Sequence, residues 1–329
     1  MKQQSAKIFV TRRLPSQVEE RMSMLFDVKL NHNDIPLSKK EIIAGCRGRN
    51  TIVSTICDQL DAKTIDDMPD EVKLIAQFGN GVDNIDIKAA QNKGITVTNT
   101  PNVLTQDTAD LAMALIMSVP RRIVEGATLV ARDGNWPGWS PNWMLGRRLG
   151  GKALGIIGLG RIGMAVAERA KAMGMKIHYF SRSRRPAQIE EKLDATYWPS
   201  LNEMLAEMDI ISLHTPHTSE TFGMLNKERL NLMKRGSFLV NVSRKELVDE
   251  NALVKLIESG HLLGAGLDVF EDKDGVNPGL LALAHENKVI LTPHMASSTL
   301  EGRIEMGEIV ILNIQVFMDS HKPPHRVLI

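Results

Sequence analysis

Residues 153–163 read ALGIIGLGRIG, an apolar run of strand character that breaks into Gly158-Leu159-Gly160-Arg161-Ile162-Gly163 where the helical pattern MAVAERAKAM begins. Three glycines at this spacing constrain the backbone more than any other feature of the chain. Gly158 permits a tight turn, Gly160 allows a ligand to approach the main chain, and Gly163 lets helix and strand pack closely. The helix that starts there directs unpaired N–H groups and a positive dipole end at the turn, an arrangement suited to a pyrophosphate. The next strand, at 175–180, arrives at the spacing of a complete βαβ unit. The segment therefore reads as a dinucleotide site with Gly158, Gly160, Arg161, Ile162 and Gly163 as binding candidates, the alternative being a purely structural turn.

The tip of that second strand reads Ser181-Arg182-Ser183-Arg184-Arg185 and holds no acid. A site for NAD places Asp or Glu there to hold the ribose 2′-hydroxyl, whereas an arginine fork suits a 2′-phosphate. Arg182, with Ser181 and Ser183, is thus assigned to the cofactor, and NADP(H) is favoured, with NAD(H) the alternative. The other reading of the tip is a solvated basic loop.

At 329 residues the chain exceeds what one hydrophobic core supports, so two domains are expected. With 40 basic against 39 acidic side chains the net charge is +1, which gives no footprint for nucleic acid or a membrane surface. The N-terminal apolar run is too short for a signal-peptide core, and the longest apolar stretch, near 111–119, is too short to span a bilayer. Cys46 and Cys57 form no metal-ligand pattern, no metal site is expected, and two unpaired thiols fit a reducing cytoplasm.

Strand-like and helix-like runs alternate almost throughout, the pattern of parallel sheets covered on both faces. KIFV, TIVST, VKLIAQF and ITVTN are strand candidates in the first third; ALGIIG, MKIHYF, DIISLHT, SFLVNVS, LLGAGLDVF and KVILTP make six in a second α/β unit. A helical face spans 105–122, and a long apolar helix at 299–318 is placed to return to the N-terminal unit. The expected fold is thus two doubly wound parallel-sheet domains, Rossmann-like and flavodoxin-like, with a cleft between them. Residues 1–103 plus 299–329 form a discontinuous substrate domain and 104–298 the dinucleotide domain. Residues 133–151 hold three of the four tryptophans and break the periodicity; the stretch 105–151 reads as the contact of a homodimer, the alternative being a loop packed on its own domain.

Ligands of open α/β sheets sit beyond the carboxyl ends of strands, which directs attention to 79–83, 241–244, Asp268 and His294. At these places FGNGVDNID, GLGRIG, NVSR…LVDENAL, GAGLDVFE and TPHMASST stand in one order, and together they resemble the D-isomer-specific 2-hydroxyacid dehydrogenases over essentially the whole chain. The tip SRSRR and the segment WSPNWMLGRR look most like the branch of glyoxylate/hydroxypyruvate reductases and D-glycerate dehydrogenases. The resemblance implies reduction of a small 2-oxo acid to the D-2-hydroxy acid by hydride transfer. Chemistry of the side chains agrees with this. Arg244 has the fork to anchor a carboxylate and polarise a carbonyl, His294 is the natural proton donor near neutral pH, and the glycine-flanked Asn80 and Gly81 offer backbone N–H groups to the substrate carboxylate. His214 reads as part of the cofactor wall. Thr108, Thr215, Pro216, Thr221, Asn241, Val242, Ser243 and Asp268 complete the cofactor-binding set.

Two positions depart from the family pattern. The Glu that the family places five residues after the Asp of LDV is Lys273 here, so Asp272 is named as the carboxylate for His294, with Glu271 and Asp274 beside it. Lys245 follows Arg244 where the family has Gly, which implies strain if the backbone there has positive φ. Two rival readings remain: a D-3-phosphoglycerate-type dehydrogenase, and a dinucleotide-binding regulatory protein with weakened catalysis.

Overall fold

The computed structural model describes residues 6–271 and 275–328 and divides into two compact units, Met1–Leu104 with Ser298–Ile329, and Thr105–Ser297. In the first, β1 (Lys7–Val10), β2 (Asp27–Leu30), β3 (Thr51–Thr55), β4 (Leu74–Phe78) and β5 (Thr96–Thr98) form a parallel sheet ordered β2-β1-β3-β4-β5. This is the flavodoxin-like order, with its reversal between β1 and β3. One face buries Ile8, Val10, Leu74 and Ala76 against the helices Ser16–Leu25 and Leu300–Met318; Ile52 and Ile75 pack on the other face against the short helices. At Gly307 an added Cβ would lie 2.4 Å from Val18 Cγ2, so this position is what lets the long helix approach its neighbour.

The second unit holds β6 (Ala153–Ile157), β7 (Lys176–Phe180), β8 (Ala195–Tyr197), β9 (Ile210–Leu213), β10 (Phe238–Asn241), β11 (Gly264–Leu267) and β12 (Val289–Leu291). Their order is β12-β11-β10-β9-β6-β7-β8, all parallel. This is the Rossmann order extended by one strand, and its switch point lies between β6 and β9. Helices Thr105–Arg121 and Arg161–Ala172 cover one face; those at Leu201–Glu207, Lys227–Leu232, Glu250–Glu258 and Pro278–His285 cover the other.

Two strands, and several helices including the one directly after Arg122, go beyond the runs named from the sequence. β2 alternates exposed and half-buried residues at a sheet edge, and β8 is only three residues long, so neither carries a continuous apolar run. The helical segment from Thr105 ends at Arg121, where Arg122 adopts φ 55°, and a separate helix Ile123–Asp133 follows. Beyond it Trp136 and Trp143 stack with centroids 5.5 Å apart, whereas Trp139 is 83% exposed. Among the described residues no helix is long and apolar enough to cross a membrane, and no group of three or more His, Cys, Asp or Glu lies together as a metal site would require.

Candidate active site

The glycine turn joins β6 to the helix Arg161–Ala172 at the sheet's switch point. Gly158 has φ 97°, and a Cβ there would lie 2.7 Å from the carbonyl oxygen of His214. A Cβ on Gly163 would lie 2.3 Å from the carbonyl oxygen of Gly158, so helix and turn approach to a distance only glycine allows. Around Gly160, in contrast, a Cβ would meet no protein atom within 4 Å. Gly160 is also the helix N-cap and supplies no side chain to the first N–H groups, the end that begins with Arg161 and Ile162. Space beside the turn and donors aimed into it are what a pyrophosphate requires.

The β7 tip is tied to this turn. Leu159 N donates to Ser181 Oγ at 3.0 Å, and Arg185 Nε donates to Leu159 O at 2.6 Å. Arg184 pairs with Glu190 through two nitrogens and lies 5.6 Å from the Tyr197 ring centroid. Tyr179 Oη donates to Glu190 at 2.5 Å; burial, reinforced by that carboxylate, pushes the phenol up to about 12. Two of the three guanidiniums are thereby engaged, whereas Arg182 and Ser183 are exposed and make no hydrogen bond among the described residues. The partners Tyr179 and Glu190 had no signal in the sequence.

At the end of β9, burial pushes the His214 imidazole down to about 3, which keeps it neutral. Ser212 Oγ lies 2.8 Å from its Nε2, and its Nδ1 is buried without a partner among the described residues. Thr215 and Pro216 follow in the same loop, where Thr221 Oγ1 donates to Pro216 O at 2.7 Å. Thr108 is buried in the first turns of the helix Thr105–Arg121.

Arg244 stands in the turn after β10, and the buried Asn241 shapes that turn. Asn241 Nδ2 donates to Arg244 O at 3.0 Å, and its Oδ1 accepts from Ser243 N at 3.0 Å. Ser243 Oγ reaches Leu213 O at 2.7 Å, Val242 is buried, and Arg244 Nη1 donates to Ser243 O at 2.8 Å. Lys245 opens a short 3-10 turn without positive φ, so the strain considered from the sequence is absent.

His294, after β12, does have positive φ, at 52°, a conformation costing a non-glycine residue about 1–3 kcal/mol. Asp268, 1% exposed, holds the loop in that shape: Oδ1 accepts from Thr292 Oγ1 (2.7 Å) and Met295 N (2.8 Å), and Oδ2 accepts from Ala296 N (2.9 Å). Its carbonyl accepts from His294 N at 3.1 Å. Asp268, which the sequence reading grouped with the cofactor ligands, is thus engaged by the histidine loop. Asp272 and Lys273 lie outside the described residues.

In the first unit the loop after β4 carries Asn80 and Gly81. The buried Gln77 donates to Gly81 O (3.3 Å) and Asn84 Oδ1 (2.9 Å), and Asn99 Nδ2 donates to Asn80 O (2.7 Å). Carbonyls are thus turned inward, and the N–H groups of Asn80 and Gly81 meet no acceptor among the described residues.

A sheet in this order with such a turn at its switch point is the frame of dinucleotide-dependent oxidoreductases. Residues 113–296 match the family described as D-isomer specific 2-hydroxyacid dehydrogenase, NAD binding domain. The chain is 42% identical over 325 residues to glyoxylate reductase of Thermococcus litoralis, covering 98% of this chain and 96% of that protein. To glyoxylate reductase of Korarchaeum cryptofilum it is 43% identical over 322 residues, with 98% and 95% covered. A solved NADPH-dependent glyoxylate/hydroxypyruvate reductase from Sinorhizobium meliloti, in complex with NADP and malonate, matches with TM-score 0.82 at 31% identity, covering 98% of this chain and 97% of its own. The chain belongs to the D-isomer-specific 2-hydroxyacid dehydrogenases, in the glyoxylate reductase branch, and is an oxidoreductase that binds a nicotinamide dinucleotide.

Proposed function

We propose that the chain reduces glyoxylate or hydroxypyruvate to the D-2-hydroxy acid with NADPH preferred over NADH. The observation that supports this most is the 42% identity to a glyoxylate reductase across 98% of the chain. The unit 105–297 takes the dinucleotide and the unit 1–104 with 298–329 takes the substrate. When bound, the reduced nicotinamide supplies a hydride. The helix end at Gly160 holds the pyrophosphate, and Arg182 with Ser183 meets the 2′-phosphate. The Arg244 guanidinium spans the substrate carboxylate and carbonyl, the N–H groups of Asn80 and Gly81 hold the carboxylate, and an imidazolium N–H of His294 gives a proton to the carbonyl oxygen. Free thiols, Cys46 buried and Cys57 exposed, fit a cytoplasmic setting.

The test is cofactor oxidation with glyoxylate, hydroxypyruvate, phosphohydroxypyruvate and pyruvate, each with NADPH and with NADH. Turnover of glyoxylate and hydroxypyruvate is expected; NADPH consumption with none of them overturns the proposal. For the cofactor tip, Arg182→Ala is expected to lower kcat/KM for NADPH by about 10- to 100-fold, the loss of a charged bidentate contact, and to leave NADH within about twofold. An equal loss with both would place Arg182 away from the 2′-phosphate.

The same proposal includes a homodimer through 105–151. Ile123, Val124, Val130, Trp136 and Trp139 are all exposed on or just after one helix, a concentration of exposed apolar side chains of the kind that marks an interface. Light scattering is expected to give twice the chain mass for the wild type and one chain mass for Val130→Asp with Trp139→Asp. A monomeric wild type rejects the dimer.

A further inference from the structure

β11 lies between β10 and β12 in the sheet, so the segment leaving it, 268–271, runs between the turn of Arg244 and the loop of His294. Neighbouring strands are about 4.8 Å apart, which puts each catalytic loop one strand away from this segment. Its first residue is bonded to both sides. Asp268 N donates to Asn241 O at 2.9 Å, on the β10 side, while its carboxylate and carbonyl hold Thr292, His294, Met295 and Ala296 on the other. Its last residue is bonded back to the arginine turn. Glu271 Oε1 pairs with Lys245 Nζ at 3.0 Å, and Glu271 N donates to Glu250 Oε1 at 2.6 Å.

Lys245 directly follows Arg244, and Glu250 opens the helix Glu250–Glu258 that Asp249 caps. The carboxylate of Glu250 is half-buried; its second oxygen has no partner among the described residues, and burial raises the group above the usual carboxylate range. A half-buried carboxylate that takes the Glu271 backbone N–H, with Asn277 and Lys245 beside it, costs desolvation that a surface loop has no need of. We propose that segment 268–271 is the spacer that sets Arg244 against His294, with Lys245 and Glu250 as positioning residues at its arginine end. The proposal rests on the catalytic roles given above. It also gives Lys245, a departure from the family pattern, a task in this chain.

The test uses the full chain with Lys245→Met, Glu271→Gln, Glu250→Ala and Glu250→Gln, measuring kcat and KM for glyoxylate, NADPH affinity, thermal unfolding and amide hydrogen exchange. Lys245→Met and Glu250→Ala are expected to raise KM for glyoxylate about fivefold, with NADPH affinity and melting temperature unchanged. Glu250→Gln keeps an oxygen for the Glu271 N–H and is expected to stay within about twofold of wild type. Lys245→Met with Glu271→Gln should cost no more than either alone, as partners in one contact do. Exchange in Glu250→Ala should quicken in 241–248 and also in 292–296. Wild-type KM in Lys245→Met and Glu250→Ala overturns the proposal, as does exchange that quickens only beside Glu250. A wild type that turns over no 2-oxo acid defeats the functional reading instead, and the exchange pattern still decides whether the spacer couples the two loops.

Discussion

Arg244→Ala is expected to lower kcat/KM for glyoxylate by about 10³-fold while NADPH affinity stays within about twofold. The arginine side chain gives the main chain of the turn one bond, Nη1 to Ser243 O, but other contacts hold the turn as well: Asn241 holds Arg244 O and Ser243 N, and Ser243 Oγ holds Leu213 O. Truncation therefore removes the guanidinium and leaves the turn in place. On the role proposed for Arg244, the loss would be a charge-assisted contact to the substrate carboxylate and a donor to the carbonyl oxygen, where negative charge would grow during reduction. Charged hydrogen bonds contribute about 1.5–3 kcal/mol each, and the oxyanion contact acts on kcat, so both kinetic constants should move. Arg244→Lys retains the charge without the planar fork and should recover only about tenfold of the loss. Stopped-flow single turnovers with NADPH separate binding from chemistry; an Arg244→Ala enzyme as fast as wild type would remove the residue from the mechanism.

Features set by local backbone demands were legible in the sequence. The glycine turn is one, because tight φ, helix approach and an open face are each dictated by a single residue type at Gly158, Gly163 and Gly160. Strands with continuous buried runs were also legible; β2 and β8, short and only partly buried at sheet edges, were not. The work of Asp268 was hidden for a different reason. Its position after a strand suggests a ligand contact, and the loop partners it also holds are 24 to 28 residues further on and come together only through the pairing of β11 with β12. The same holds at the β7 tip, where three arginines look equivalent in SRSRR and Glu190 and Leu159 divide them. The helical face read over 105–122 agrees with the helix Thr105–Arg121, but the separate helix Ile123–Asp133 beyond Arg122 was not legible, since the left-handed residue between them leaves no hydrophobic trace.

Gly160 and Gly163 should fail in opposite ways when each is changed to alanine. At Gly163 the added methyl would stand 2.3 Å from Gly158 O and 3.2 Å from Ile156 Cγ2, both parts of a rigid strand and turn. The helix Arg161–Ala172 must then move off the sheet together with its buried Ala165, Val166, Ala167 and Ala170. Overpacking of this kind costs about 1–3 kcal/mol, so a lower melting temperature is expected even without ligand, with dinucleotide affinity reduced as well. Gly160 has φ −82°, which alanine adopts without strain, and its methyl would meet no protein atom within 4 Å. Gly160→Ala is therefore expected to melt at or slightly above the wild-type temperature, since alanine restricts the unfolded chain. Its NADPH affinity should nevertheless fall by about 10- to 100-fold, because the methyl would occupy the space through which, in the proposed binding, the pyrophosphate reaches the helix N–H groups. Calorimetric melting of the ligand-free proteins and NADPH titration of each variant separate the two cases. A Gly160→Ala protein that binds NADPH as wild type does would mean that the open face beside the turn serves something other than the dinucleotide.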